Sequence, residues 1–142
     1  SARKRVSVAG EADIQRVSWR GRGEGQFYLT SAEALDVTPW VMGKGALVMR
    51  LRIDQAPRKQ VALRLGCGYP CAGTADVTRL FQALPAEQWL QVSIDLACFA
   101  GRGLDPSNVV TPLLLLTSGK FGLSLEDVRL VRRAGPAATV RC

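Results

Sequence analysis

Apolar and polar residues alternate with a period of two over most of the chain, which is the spacing of strands that bury one face. The clearest stretch is 46–54, where Leu47, Met49, Leu51 and Ile53 share one side and Val48, Arg50, Arg52 and Asp54 the other. After Gln55-Ala56-Pro57-Arg58-Lys59 comes 60–67, with Val61, Leu63, Leu65 and Cys67 alternating against Ala62, Arg64 and Gly66. The pattern predicts a hairpin over 46–67 within one sheet. Ile53 would lie opposite Val61, Leu51 opposite Leu63 and Met49 opposite Leu65, a register that merges both apolar faces. Arg50, Arg52 and Arg64 would then stand on one outward face, with Arg50 beside Arg64.

Further strands are predicted over 14–19, 26–30, 90–96, 109–117 and 122–131, separated by Gly, Pro and Asp turns. Such spacing predicts an all-β, antiparallel sandwich of about eight strands. Only 74–84 reads otherwise: Asp76 or Thr78 caps a short helical turn carrying Leu80, Phe81 and Leu84, and Pro85 stops it. Trp89, just before a strand, reads as a tryptophan of the sandwich core, while Trp19 and Tyr28 fit the core or the surface equally. Gly21-Arg22-Gly23-Glu24-Gly25 lacks the βαβ surroundings of a phosphate loop, and no internal repeat is present.

A chain of 142 residues that is 47% hydrophobic and 22% charged is sized and composed as one globular domain. Its apolar runs, Leu113 to Leu116 among them, are far short of a membrane span. The opening residues also lack the apolar stretch of a signal peptide. The formal charge of +7 sits on the two ends: Arg3, Lys4 and Arg5, then Arg129, Arg132, Arg133 and Arg141, while the other 12 bases balance the 12 acids. We therefore expect a basic leader over 1–9, a domain over 10–131 and a tail over 132–142. The end charges read as solvated, and neither nucleic acid nor membrane is expected as a partner.

The absence of histidine removes Ser-His-Asp and Cys-His catalysis and the usual near-neutral proton shuttle. Paired carboxylates could still cleave a glycoside, but the one adjacent acidic pair, Glu126-Asp127, sits in a strand whose neighbours point to opposite faces. No catalytic residue is therefore expected. Of the four cysteines, Cys67 and Cys71 close a short loop, Cys67-Gly68-Tyr69-Pro70-Cys71, suited to a disulfide of an exported protein. Cys98 shares inward parity with Ile94 and Leu96 and reads as a buried, reduced thiol, although a bridge to Cys67 or Cys71 stays open; Cys142 would be the reactive one. Zinc would need all four thiolates or carboxylate help, so no metal site is expected. No cofactor is expected either; the one candidate is a structural calcium, for which no dense acidic loop appears. Sugar rings stack on aromatic faces, and Trp40 and Tyr69, both in expected loops, are the candidate platforms, with Arg64, Arg50 and Arg52 as candidate hydroxyl-binding groups.

The stretch Val61 to Gly73 with its Cys-Gly-Tyr-Pro-Cys loop, Ala75-Asp76-Val77-Thr78, Asp95-Leu96-Ala97-Cys98-Phe99 within 89–99, and 112–130 resemble the C-terminal domain of bacterial family-three glycoside hydrolases, in the exo-acting β-glucan glucohydrolase branch. Asp13-Ile14-Gln15-Arg16-Val17-Ser18-Trp19-Arg20-Gly21 is similar to that domain's first strand. The resemblance implies a galactose-binding-like jelly roll appended to catalytic domains that this chain does not contain. It implies export to the periplasm or outside. It also implies an accessory role, either weak binding of β-glucan or its oligosaccharides, or packing against the catalytic domains to shape their active site.

Overall fold

The computed structural model describes residues 6–11, 14–99, 103–133 and 140–142. Nine strands are present among them: β1 (Val6–Glu11), β2 (Ile14–Arg20), β3 (Gly25–Leu29), β4 (Ala46–Gln55), β5 (Val61–Gly66), β6 (Ala72–Asp76), β7 (Trp89–Asp95), β8 (Thr111–Thr117) and β9 (Lys120–Val131). Two short helices, α1 (Thr38–Met42) and α2 (Thr78–Ala83), lie in connections. The strands form a five-stranded sheet, β1-β2-β9-β4-β7, and a four-stranded sheet, β3-β8-β5-β6. Pairing within both is antiparallel, and the expected sandwich is the observed one.

The alternation is used as the pattern predicts, since Leu47, Met49, Leu51 and Ile53 of β4 and Val61, Leu63 and Leu65 of β5 all enter one buried cluster. Each such side chain contributes roughly 1.5–3 kcal/mol. Trp19 is the core tryptophan: it stacks on Phe121 at 5.1 Å, which in turn stacks on Phe81 at 5.8 Å. Its indole N–H is satisfied by the Gly25 carbonyl at 2.9 Å. Helix α2 begins where the Asp76 carboxylate accepts the Thr78 N–H and hydroxyl, at 2.9 and 2.6 Å, and it ends when Leu84 turns extended ahead of Pro85. Among the described residues no helix is long and apolar enough to cross a membrane.

Several expectations are corrected. The 46–67 hairpin does not exist, because β4 lies between β9 and β7 in one sheet and β5 between β8 and β6 in the other. Residues 56–60 carry the chain across the sandwich, so the two apolar faces meet through the core instead of side by side. Arg64 accordingly stands on the opposite outer face from Arg50 and Arg52. The start of 74–84 is strand β6, paired with β5, and not part of the helix. At the N-terminus, residues 6–9, read as leader, run in β1 and pair with β2. The tail is anchored too: Val140 forms a parallel bridge with Ile94, and Cys142 is disulfide-bonded to Cys98. Cys98 is therefore oxidised, and Cys142 is not a free thiol.

Candidate functional site

The outer face of the four-stranded sheet is built from the polar half of each alternation. One row runs straight across it: Tyr28 of β3 is opposite Leu114 of β8, Leu114 opposite Arg64 of β5, and Arg64 opposite Thr74 of β6. The next row is Gln26, Leu116, Ala62 and Asp76. On one flank rises the loop after β5. Its ends are joined by the Cys67–Cys71 disulfide, with Cα atoms 4.9 Å apart. The Cys67 N–H donates to the Cys71 carbonyl at 2.9 Å, and the Cys71 N–H to the Gly68 carbonyl at 2.8 Å. Gly68 takes φ 89°, a left-handed conformation that a side chain would strain. The Tyr69-Pro70 bond is cis.

This loop presents Tyr69 with its side chain fully exposed, and Tyr28 is 56% exposed. Between them lies an open groove of about 490 Å³ whose lining includes Gln26, Tyr28, Arg64, Tyr69, Thr74 and Leu114. Among the described residues no carboxylate lines it. Arg64 is half-buried there and has no hydrogen-bond or ion-pair partner among the described residues. The groove thus combines two aromatic faces, an apolar floor and donors that lack protein acceptors. Of the expected site residues, Tyr69 and Arg64 are brought together. Tyr28, Gln26 and Thr74 are additions; the outward parity Tyr28 shares with Gln26 in the 26–30 strand was the signal for two of them.

Arg50 and Arg52 lie across the sandwich in a different environment. Arg50 Nε pairs with Glu126 at 2.7 Å and Arg52 Nε with Asp54 at 2.6 Å. Both guanidinium groups also lie over the ring of Trp89, at 5.7 and 5.3 Å from its centroid. Trp89 is only half-buried, so it caps this outer face and is not a core residue. Asp54 further accepts the Ser124 hydroxyl at 2.7 Å, closing the network. A register shift between Arg50 and Leu51 leaves both Glu126 and Asp127 exposed, instead of on opposite faces, and Asp127 pairs with Arg129 at 3.0 Å. Trp40 sits in α1, a helix absent from the expected loop, with Arg132 over its ring at 5.9 Å. It does not converge with Tyr69.

Two carboxyls are held below the usual aspartate range. At Asp76 the Thr78 hydroxyl and N–H are the main cause, with Gln60 and Arg79 adding to it against some desolvation; at Asp36 it is the Thr38 hydroxyl and N–H. Both act at turns and not in the groove. Among the described residues no three His, Cys, Asp or Glu side chains gather as metal ligands.

A family model described as galactose-binding domain-like, Exop_C, matches residues 6–130. The fold superposes on the exo-1,3/1,4-β-glucanase ExoP from a Pseudoalteromonas species with TM-score 0.71 at 18% identity, covering 94% of this chain and 16% of that one. The extra C-terminal domain (X) of the same enzyme gives TM-score 0.68 at 20% identity, over 95% of this chain and 73% of that one. A family 30 carbohydrate-binding module gives 0.68 at 16% identity, over 96% and 79%. At such identities the likeness is one of fold, and the chain spans only 16% of the length of the whole enzyme. No curated protein matches. With nearly the full sandwich inside the matched span, the chain belongs to the galactose-binding domain-like family Exop_C.

Proposed function

We propose that this chain is a non-catalytic accessory domain of an exported β-glucan-degrading glycoside hydrolase, and that it binds glycan weakly in the groove of the four-stranded sheet. The observation that carries the reading is the pair of exposed tyrosines, Tyr28 and Tyr69, flanking the unpartnered Arg64 on one sheet face. A pyranose presents an apolar C–H face that stacks on a phenol ring, while its hydroxyls meet Arg64, Gln26 and Thr74. Two disulfides fit an oxidising compartment, periplasmic or extracellular. The lack of histidine and the engagement of Glu126 and Asp127 by Arg50 and Arg129 support a non-catalytic role. Similarity in fold to an exo-1,3/1,4-β-glucanase supports a β-glucan-degrading partner.

The test is titration of the oxidised 142-residue chain with β-1,3/1,4-linked gluco-oligosaccharides, followed by NMR. Shifts should localise to the groove with a dissociation constant on the order of 1 mM, since an open site leaves little surplus after ordering costs. Arg64→Ala should weaken it. The chain should release no sugar from β-glucan. A second reading, packing against catalytic domains, is favoured by the exposed Met42, 79% accessible, and Leu35 near α1. It becomes the better account if no oligosaccharide moves any resonance at tens of millimolar.

A further inference from the structure

We infer that the groove receives the interior of a linear glycan laid across the strands, and not a chain end or a single sugar; this rests on reading the groove as a sugar site. The row Tyr28, Leu114, Arg64, Thr74 fixes the direction, because it crosses all four strands at right angles to them. It ends on strands that are both sheet edges, β3 and β6. The residues at its two ends, Tyr28 and Thr74, are exposed, while Leu114 and Arg64 in the middle are half-buried. The row is therefore most enclosed at its centre and most exposed at its two ends. The disulfide loop with Tyr69 and Pro70 lines the groove beside this row.

A site for a chain end or a monosaccharide needs a wall that surrounds the terminal ring and satisfies its extra hydroxyls. Among the described residues that line the groove, none comes from beyond either edge strand. Three interstrand spacings amount to roughly 14 Å, which a single pyranose cannot fill and a trisaccharide does. Arg64, which can only donate, then faces hydroxyl and ring oxygens of the middle unit, and Tyr28 and Tyr69 hold rings to its sides. A glycan held by its middle keeps both ends free, including the one from which an exo-acting partner domain consumes it.

The test compares glucose with linear β-1,3/1,4-gluco-oligosaccharides of increasing length against the oxidised chain, by calorimetry and NMR. Affinity should rise by about tenfold from glucose to trisaccharide and then level off, because further units fall outside the groove. Reducing the terminal sugar to an alditol, or blocking the non-reducing end with a bulky O-substituent, should change tetrasaccharide affinity by less than about twofold. The amides of Tyr28, Leu114, Arg64 and Thr74 should shift together. Glucose binding as tightly as the tetrasaccharide, or loss of binding on blocking either end, overturns the crosswise interior mode while leaving a sugar site. Absence of binding by every length overturns the sugar-site reading itself and this inference with it.

Discussion

The two outer faces of the sandwich carry the same kinds of residue and put them to different use. On the five-stranded face, Arg50 and Arg52 lie over Trp89 and each is matched to a carboxylate, so both charges have partners from the chain itself. On the four-stranded face, Tyr28, Tyr69 and Arg64 surround an open groove that, among the described residues, holds no acid. An arginine beside an aromatic ring thus says little about ligand binding until its partners are counted. The satisfied set stiffens a sheet, whereas the unsatisfied set is what a ligand can complete.

If that contrast is right, the faces should separate under mutation. The largest effect belongs to the five-stranded side, where the Cys98–Cys142 disulfide, spanning a sequence separation of 44, ties the tail to the end of β7. Replacing both cysteines with serine should lower unfolding stability by about 4 kcal/mol on the chain-entropy estimate, read by denaturant titration, with glycan affinity unchanged. Next come Tyr28→Ala and Tyr69→Ala. Each should weaken oligosaccharide binding by about tenfold in calorimetry while leaving the melting temperature nearly constant, since both rings are exposed. Trp40→Ala should not weaken binding.

Trp89→Ala should do the reverse, costing about 1–2 kcal/mol of stability through lost stacking with Arg50 and Arg52 and leaving binding intact. Equal loss of binding in Trp89→Ala and Tyr69→Ala would erase the distinction between the faces. The smallest effect concerns acid. Because Asp76 is held below its ordinary range by Thr78, its ionised form adds stability that is fully present above the unfolded-state value of about 3.9, and is lost as pH falls through the lower folded value. Asp76→Asn should flatten the stability curve below about pH 4 in thermal melts, with no change in its slope near neutrality.

How far the chain could be read from its letters differs from element to element. The β4 and β5 alternations were legible because burial on one side imposes period two wherever the strand lies. Their pairing was not, since the same pattern is satisfied by two strands in one sheet or by two strands facing each other across a core. Trp89 resembled a core tryptophan because indole is large and apolar, yet it lies half-buried on the outer face beneath two neighbouring guanidinium groups. The loop cysteines were readable from their proximity. Cys98 was not, because its partner is 44 residues away.

The sequence by itself determined the all-β class, the apolar faces, the short helix after β6, the Cys67 to Cys71 loop with its tyrosine, and the lack of histidine chemistry. All of these follow from local periodicity, turn residues or composition, which act over a few neighbouring positions. The tertiary structure alone decided that Arg64 faces away from Arg50 and Arg52, that Tyr28 joins Tyr69, and that the tail closes on Cys98. Those depend on which strands share a sheet. Side-chain alternation has only two values, inward and outward, so it records that a residue leaves the core but not through which of the two sheets it leaves.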